Sequence, residues 1–408
     1  MKTNTTIKFF FSSSPLNTLL QPTMKPNTTI PNELLSSAQI VASIDDLLTE
    51  IFLRLPMKSL CRFKLVSKNW DSIISDPGFS LLRNPNPNPA VGLILSVSKG
   101  PYAKVLSFDK STNPQIRTLL DNFPNPFPCQ ILSSCNGLLL ISSTKGTYNC
   151  GYPVRHYLIC NPTTSKYFRL PESVGWLDCY RTDLAFDPSR SPHYKVVCTR
   201  ELLRNKMEYQ YQSQYQLEVY SSETGCWRNF GRPLSGHVNF SSGVYWNGAI
   251  HWISNYLSRK SLYIKLDDDD DDETLYVMPT PPRTGPSNYY FGESCGHLHY
   301  IQGHMDVNVM EFNVLEMSPD YSEWFVKYKI DKVNFPCRNL KICSLVRGKK
   351  DEDSFLVFKF PEEFVRYNIA DRTSETICKL DESKSDQCFQ YIESLCSTYG
   401  FTSGLVKF

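Results

Sequence analysis

Six stretches of this chain share one plan: an alternating apolar strand, a polar turn, and a second strand anchored by an aromatic or apolar residue. They are VLSFDKSTNPQIRTL around Asp109, YLICNPTTSKYFRLP around Asn161, LEVYSSETGCWRNF around Ser221, YIKLDDDDDDETLYVMP around Asp267, FNVLEMSPDYSEWFVKY around Glu316 and VRYNIADRTSETICKL around Ala370. Successive landmarks lie 52, 60, 46, 49 and 54 positions apart. A second landmark, NGLLL at Asn136-Gly137, NGAIHW at Asn247-Gly248 and CGHLHY at Cys295-Gly296, precedes three of the turns by 20–25 residues. It reads as a two-residue tight turn leading into a buried strand. The unit around Ser221 lacks it.

A period of about 50 residues is that of a β-propeller blade, a unit that cannot cover its own sheet and stacks on its neighbours. Residues 91–408 are therefore expected to form an all-β domain, a propeller of about six blades. Asn84 to Pro89 alternates Asn and Pro, a pattern unfit for helix or central strand, so residues 84–90 read as an extended spacer. The apolar fraction of 41% and aromatic fraction of 13% in 408 residues support a sizeable core. A net charge of +2 gives no indication of nucleic acid or an acidic membrane surface as partner. The 14 cysteines occur singly, with no CxxC pair, as expected of reduced thiols rather than a disulfide scaffold or zinc ribbon. No stretch reaches the ~20 apolar residues of a membrane helix. Residues 1–42, rich in Ser, Thr, Asn and Pro, read as a disordered leader, with Met24 as an alternative start and neither a secretory h-region nor transit-type arginines.

Between leader and spacer the periodicity is helical. Residues 43–79 read SIDDLLTEIFLRLPMKSLCRFKLVSKNWDSIISDPGF. Ser43 followed by Asp46 suggests an N-cap. Leu47, Leu48, Ile51, Phe52 and Leu55 recur at helical spacing until Pro56, expected to stop the helix. A second helix is expected from Ser59, with Leu60, Phe63 and Val66 on one face. A third carries Trp70, Ile73 and Ile74 and ends at Asp76-Pro77-Gly78. About 40 residues make a poor independent core, and no metal ligands are present, so part of the apolar surface is expected to be covered by another polypeptide.

The stretch LRLPMKSLCRFKLVSKNW resembles the F-box, and residues 43–83 are similar to the three-helix F-boxes of plant proteins. The resemblance implies docking onto the Skp-type adaptor of SCF (cullin–RING) ubiquitin ligases, through residues among Ile44, Leu47, Leu48, Ile51, Leu55, Pro56, Leu60, Phe63, Val66 and Trp70. The family's opening Leu-Pro is Ile44-Asp45 here, which removes the proline's rigid entry to the helix and is expected to weaken the contact. Asn-Gly-Leu-Leu, Asn-Pro-Thr-Thr and Trp-Asn-Gly-x-Ile-His-Trp also resemble the F-box-associated, kelch-like domain that follows plant F-boxes.

Signatures of catalysis are missing: the chain holds no GxSxG, GxxxxGK[ST], HExxH or GxGxxG. Cys295, His297 and His299, with His304 nearby, are a metal candidate, since alternate strand residues share a side and thiolate plus imidazole suits zinc. The plainer reading is a blade strand whose histidines hydrogen-bond internally. Asp267 to Asp272 with Glu273 read as a solvated loop extended by repulsion, open to a basic partner, rather than a calcium site. Trp246 and Trp252 read as core packing ahead of a binding platform. The resulting expectation is a non-catalytic substrate receptor of the cytoplasm or nucleus, without cofactor, metal, nucleic-acid or membrane partner. It would link a Skp-type adaptor, and through it cullin and RING subunits, to an unidentified protein target. The alternatives are a propeller scaffold with a Skp-independent role, and a zinc enzyme using the Cys295–His304 cluster.

Overall fold

A computed structural model describes residues 37–398 except 84–88, 98–102, 110, 112–115, 119–128, 148–152, 173–178, 208–209, 236–239, 241, 255–259, 267–273, 283–288, 307–308, 334–339 and 380–384. Most of the Asn-Pro spacer and the whole acidic run lie outside the described residues.

The chain divides into two compact units, residues 1–44 and 45–408. The described part of the first is a short helix, α1 (Ser37–Ala42), in the stretch expected to be a structureless leader. Ser43 is not the N-cap of the next helix: its hydroxyl donates to the Ile40 carbonyl at 2.7 Å and so closes α1.

In the second unit the helical module comprises α2 (Asp45–Leu53), α3 (Met57–Phe63), α4 (Lys68–Ser75) and α5 (Pro77–Arg83). The module's first helix, α2, ends ahead of Pro56, as expected, but both prolines of the module also begin helices. Pro56 is the N-cap of α3, its carbonyl accepting from the Ser59 and Leu60 N–H groups, so that helix starts earlier than Ser59. Pro77 occupies the first position of α5, where the missing N–H costs nothing. Asp76 caps that helix, its carboxylate accepting from the Gly78 N–H at 2.7 Å. Ser67 caps α4 through the Trp70 N–H. Leu48, Phe52, Met57, Leu60, Ile74 and Phe79 form the buried centre. Around it the rings of Phe52, Phe63 and Trp70 pack at centroid distances of 5.2–6.0 Å. Arg83 at the end of α5 donates to the Leu53 carbonyl at 3.1 Å and the Leu55 carbonyl at 2.7 Å, satisfying groups that the end of α2 leaves open.

Beyond the spacer the described strands form six four-stranded antiparallel sheets, the blades of a propeller. Blades 2 to 6 are each contiguous in sequence, within residues 129–169, 179–235, 244–278, 289–333 and 341–379. Blade 1 is composite. Its three outer strands are Gly92–Val97, Ala103–Ser107 and Ile116–Thr118, but its inner strand is the last of the described strands, Ser385–Tyr391, paired antiparallel to Gly92–Val97. The inner strands Cys129–Cys135, Cys179–Ala185, Val244–Trp246, Tyr289–Ser294, Lys341–Val346 and Ser385–Tyr391 follow one another in a closed ring. Each blade interface has its own apolar core. Between blades 5 and 6, for example, Phe312 and Val314 meet Leu356 and Phe358. Between blades 3 and 4, Val197 and Val219 meet Ile250 and Trp252. A sheet covered on both faces has no solvent side, which is why every residue of Ala249–Trp252 and Phe355–Phe358 is buried, all of them apolar but His251.

The six repeats read from the sequence are the outer hairpins, and the glycine landmarks are the turns between first and second strands of blades 2, 4 and 5. In those turns Asn136, Asn247 and Cys295 have φ of 43°, 48° and 50°, each followed by glycine with positive φ, as a type I′ turn requires. Blade 3 replaces the glycine turn by a longer one built on Asp187, whose carboxylate accepts from the Ser189 N–H and hydroxyl. Gly137 has a second reason to be glycine: a Cβ there would lie 2.4 Å from Ser394 Cβ and 2.9 Å from the Ile392 carbonyl oxygen. Replacing Gly137 by Ala is expected to lower unfolding stability by roughly 2–4 kcal/mol, since it combines backbone strain with a clash in a packed site. Chemical denaturation measures this.

In the Cys295-Gly296 turn, the Glu293 carboxylate accepts from the Gly296 N–H at 2.6 Å. Desolvation pushes the Glu293 carboxyl up to about 7, against the pull of that N–H and with Asp187 adding to the rise. Between the unfolded value near 4.5 and the folded value near 7, the native state holds a proton that the unfolded chain has released. Stability due to this group therefore falls as pH rises through that window. Glu293→Gln should flatten this part of the decline between pH 5 and 8, and the melting temperatures of variant and wild type should diverge most at the upper end, with the variant higher.

Candidate functional site

Two surfaces are candidates: the solvent side of the helical module and the propeller face turned away from it. The ten residues expected at the adaptor contact fall into three groups. Leu48 and Leu60 are buried in the module's own core. Leu55, Phe63 and Trp70 are half-buried and pack against it. Leu47, Ile51, Pro56 and Val66 are exposed, and Ile44, in the first unit, is exposed as well. Leu47 and Ile51 stand one turn apart on α2, 44% and 41% exposed, and form one apolar stripe. The Asn69 amide donates to the Asp45 carboxylate at 2.9 Å, bringing the start of α4 beside the start of α2. The turn leading into α4 carries Val66, 60% exposed, and Leu65, 87% exposed. Leu65 was absent from the sequence reading. Its signal was the pair Leu65-Val66 directly before a Ser N-cap: α3 ends at Phe63, so two consecutive apolar residues sit in a turn with no helix face to hide them.

The opposite side of the module is seated on the propeller. After the closing strand the chain runs back over blades 2 and 3. There Asn161 donates to the Ser394 and Cys396 carbonyls at 3.0 and 2.8 Å, and the Tyr194 hydroxyl donates to the Thr398 carbonyl at 3.0 Å. Leu395 of this segment enters the core of the helical module. The module thus sits at the end of the ring where the Asn136-Gly137 turn lies.

The inner strands surround a cavity of about 270 Å³, lined among others by Leu132, Arg181, Tyr245, Glu293, Cys343 and Gln390. At the strand ends remote from the helical module it continues into a second space of about 240 Å³. Gln130, Arg181, Lys341, Gln387 and Phe389 stand there. Arg181 is held by Asp183, Nε to Oδ1 at 3.1 Å, and the same buried carboxylate accepts from Trp252 Nε1 at 2.9 Å and the Gly243 N–H at 3.0 Å. Trp252 is thereby a fully buried pin between blades 3 and 4. Trp246 is also buried, its Nε1 donating to the Gly296 carbonyl at 2.8 Å between blades 4 and 5, so neither indole offers a binding platform.

The metal candidate resolves into a carboxylate cluster. Glu316 accepts from His297 Nδ1 at 2.7 Å and from Arg347 Nη1 at 3.0 Å, and its Oε2 lies 3.5 Å from His299 Nε2. Cys295 turns away and donates to the Arg347 carbonyl. Burial acts to raise the Glu316 carboxyl, but hydrogen bonds from His297 and His299 and their charges override it and hold it well below the usual range. No group of three metal-ligating side chains occurs among the described residues. The side chain of His304 lies outside them.

Comparison with known proteins agrees with this division. Residues 45–82 match the F-box domain, and residues 93–269 match the F-box associated beta propeller domain. The F-box protein At5g07610 of Arabidopsis thaliana is 33% identical over 405 residues, covering 89% of this chain and 94% of the relative. The F-box/kelch-repeat protein At3g17530 of the same plant is 23% identical, covering 70% and 71%. F-box protein At5g49610 is 28% identical, covering 63% and 71%. F-box domains generally bind Skp-type adaptors, and the family is of adaptor rather than enzyme type. The chain belongs to the plant-type F-box proteins that carry an F-box-associated β-propeller behind the F-box.

Proposed function

We propose that this protein is the substrate-recognition subunit of an SCF-type ubiquitin ligase of the cytoplasm or nucleus. The observation that carries the reading is the two-sided packing of the F-box. One side is buried on the propeller through Leu395. The other leaves Leu47, Ile51, Leu65 and Val66 exposed. Covering a fully exposed side chain of this kind is worth roughly 1.5–3 kcal/mol, and about half that for the half-covered Leu47 and Ile51, enough for the four together to dominate an interface. A Skp-type adaptor on that ridge would join the protein to cullin and RING subunits.

The target protein is assigned to the propeller end remote from the F-box, where the channel opens beside Gln130, Arg181, Lys341 and Gln387. A target held there lies across the propeller from the adaptor, with its lysines free to meet the charged ubiquitin-conjugating enzyme. The protein contributes position rather than a reacting group: it raises the effective concentration of target lysine at the thioester.

The placement of the ten residues decides the experiment. Leu48→Asp would place a charge in the F-box core and unfold the module, so loss of binding would say nothing about the interface. Leu47→Asp combined with Ile51→Asp alters only exposed positions. The expected result is at least a tenfold loss of Skp affinity in a pull-down titration, with the melting temperature within a degree or two of wild type. Undiminished Skp binding by a folded double variant refutes the ridge. No Skp binding by the wild type refutes the ligase reading and leaves a Skp-independent propeller scaffold.

A further inference from the structure

The closing of the propeller ring contains an unassigned pair of thiols. Cys343 lies on the inner strand of blade 6 and Cys388 on the closing strand, the inner strand of blade 1. The Cys343 thiol points at the Cys388 sulfur, with 3.1 Å between the two sulfurs. Both residues line the central cavity, and Cys388 also lines the space at its outer end. Cys343 is itself buried and sits at a register irregularity between Ile342 and Ser344, where it has no backbone partner across the sheet to hold it in place. A disulfide needs sulfurs about 2.05 Å apart, so the gap left to close between the two sulfurs is about 1 Å.

We infer that Cys343 and Cys388 are a modification site at which a small hydroperoxide converts the dithiol into a disulfide that fastens the closing strand to blade 6. The inference stands apart from the Skp reading and needs only the propeller. Cys388, the more accessible sulfur, is the attacking group. As thiolate it takes the outer oxygen of the hydroperoxide: an S–O bond forms, the O–O bond breaks, and the released alkoxide or hydroxide picks up the proton. The Cys343 sulfur then attacks the Cys388 sulfur. The S–S bond forms, the S–O bond breaks, and water leaves with the Cys343 proton. Two thiols and one hydroperoxide give one disulfide, one alcohol or water, and one water, with two electrons passing from sulfur to peroxide. The hydrogen bond to Cys388 and burial push the Cys343 thiol up, which keeps the proton on Cys343.

The consequence is mechanical. The closing strand is otherwise tied to its neighbours by hydrogen bonds: Gln390 Nε2 lies 3.0 Å from the Glu293 carbonyl of blade 5 and 3.2 Å from the Leu345 carbonyl of blade 6, and Ser134 of blade 2 donates to the Gln390 carbonyl. A covalent link would span residues 343 to 388, a loop of 45 positions, and would restrain the strand that leads directly to Leu395 in the F-box core.

The test uses the full chain and hydrogen peroxide at low molar excess. Remaining thiols are then blocked and the peptides mapped by mass spectrometry with and without reductant. The expected result is a reducible peptide joining Cys343 to Cys388, accompanied by a rise in melting temperature of about 5 °C. Cys388→Ser should lose both, and Cys343→Ala, which keeps a small side chain in the core, should do the same. A second close pair, Cys179 and Cys198 with sulfurs 2.8 Å apart on neighbouring strands of blade 3, serves as internal comparison. Linkage only of that pair, or both Cys343 and Cys388 recovered blocked or over-oxidised, overturns the site. A Cys343–Cys388 link without the rise in melting temperature overturns the fastening.

Discussion

The strand Ser385–Tyr391 is the element on which the rest of the structure depends. A propeller stacks blades around an axis, and each blade buries its faces only if the ring is complete. In this chain completion comes from pairing the last strand with Gly92–Val97, across nearly the whole length of the β domain. The pairing is non-local, so its loop entropy is lost before any contact is gained, and the cores between blades 6 and 1 and between blades 1 and 2 form only with it. Gln390 reads the assembled ring directly, since its amide nitrogen reaches carbonyls of blades 5 and 6 while its carbonyl accepts from blade 2.

The same strand explains how a small helical module is held against a large β domain. The F-box core of Leu48, Phe52, Met57, Leu60, Ile74 and Phe79 lacks one wall, and Leu395, four residues beyond the closing strand, supplies it. The route of the intervening chain is set by polar contacts: Asn161, which opens the outer turn of blade 2, donates to the Ser394 and Cys396 carbonyls. Gly137 leaves room for Ser394. Two of the residues that mark the repeat in the sequence, Asn161 and the Gly of Asn136-Gly137, thus serve blade geometry and seat the F-box together. With one side occupied in this way, the remaining apolar stripe on α2 and the Leu65-Val66 turn faces solvent.

Where the sequence reading and the structure part, the cause is a local signal with two physical meanings. Pro56 and Asp76-Pro77 were read as ends of helices; both also suit beginnings, because a helix's first N–H groups have no partner inside it and Pro fits there. The histidines of CGHLHY have metal-like spacing, but a carboxylate from the adjacent strand, Glu316, and a guanidinium from the next blade, Arg347, take their place in the cluster. Neither is near them in sequence. Leu65 escaped because the sequence was read as a helix face, while the chain there is a turn.

The sequence by itself determined the helical module, the all-β domain and its six units, because these follow from short-range regularities: apolar spacing of 3.6 and of 2, tight-turn glycines, and a recurring outer hairpin. It also carried the F-box resemblance, and with it the expectation of an adaptor rather than a catalyst. Tertiary structure alone decided which of the ten expected contact residues are free to touch a partner, that the last strand belongs to the first blade, and that Cys343 meets Cys388. These depend on which surfaces are left over after distant segments pack. A one-dimensional pattern gives each residue's preference for burial, but not the neighbour that satisfies it.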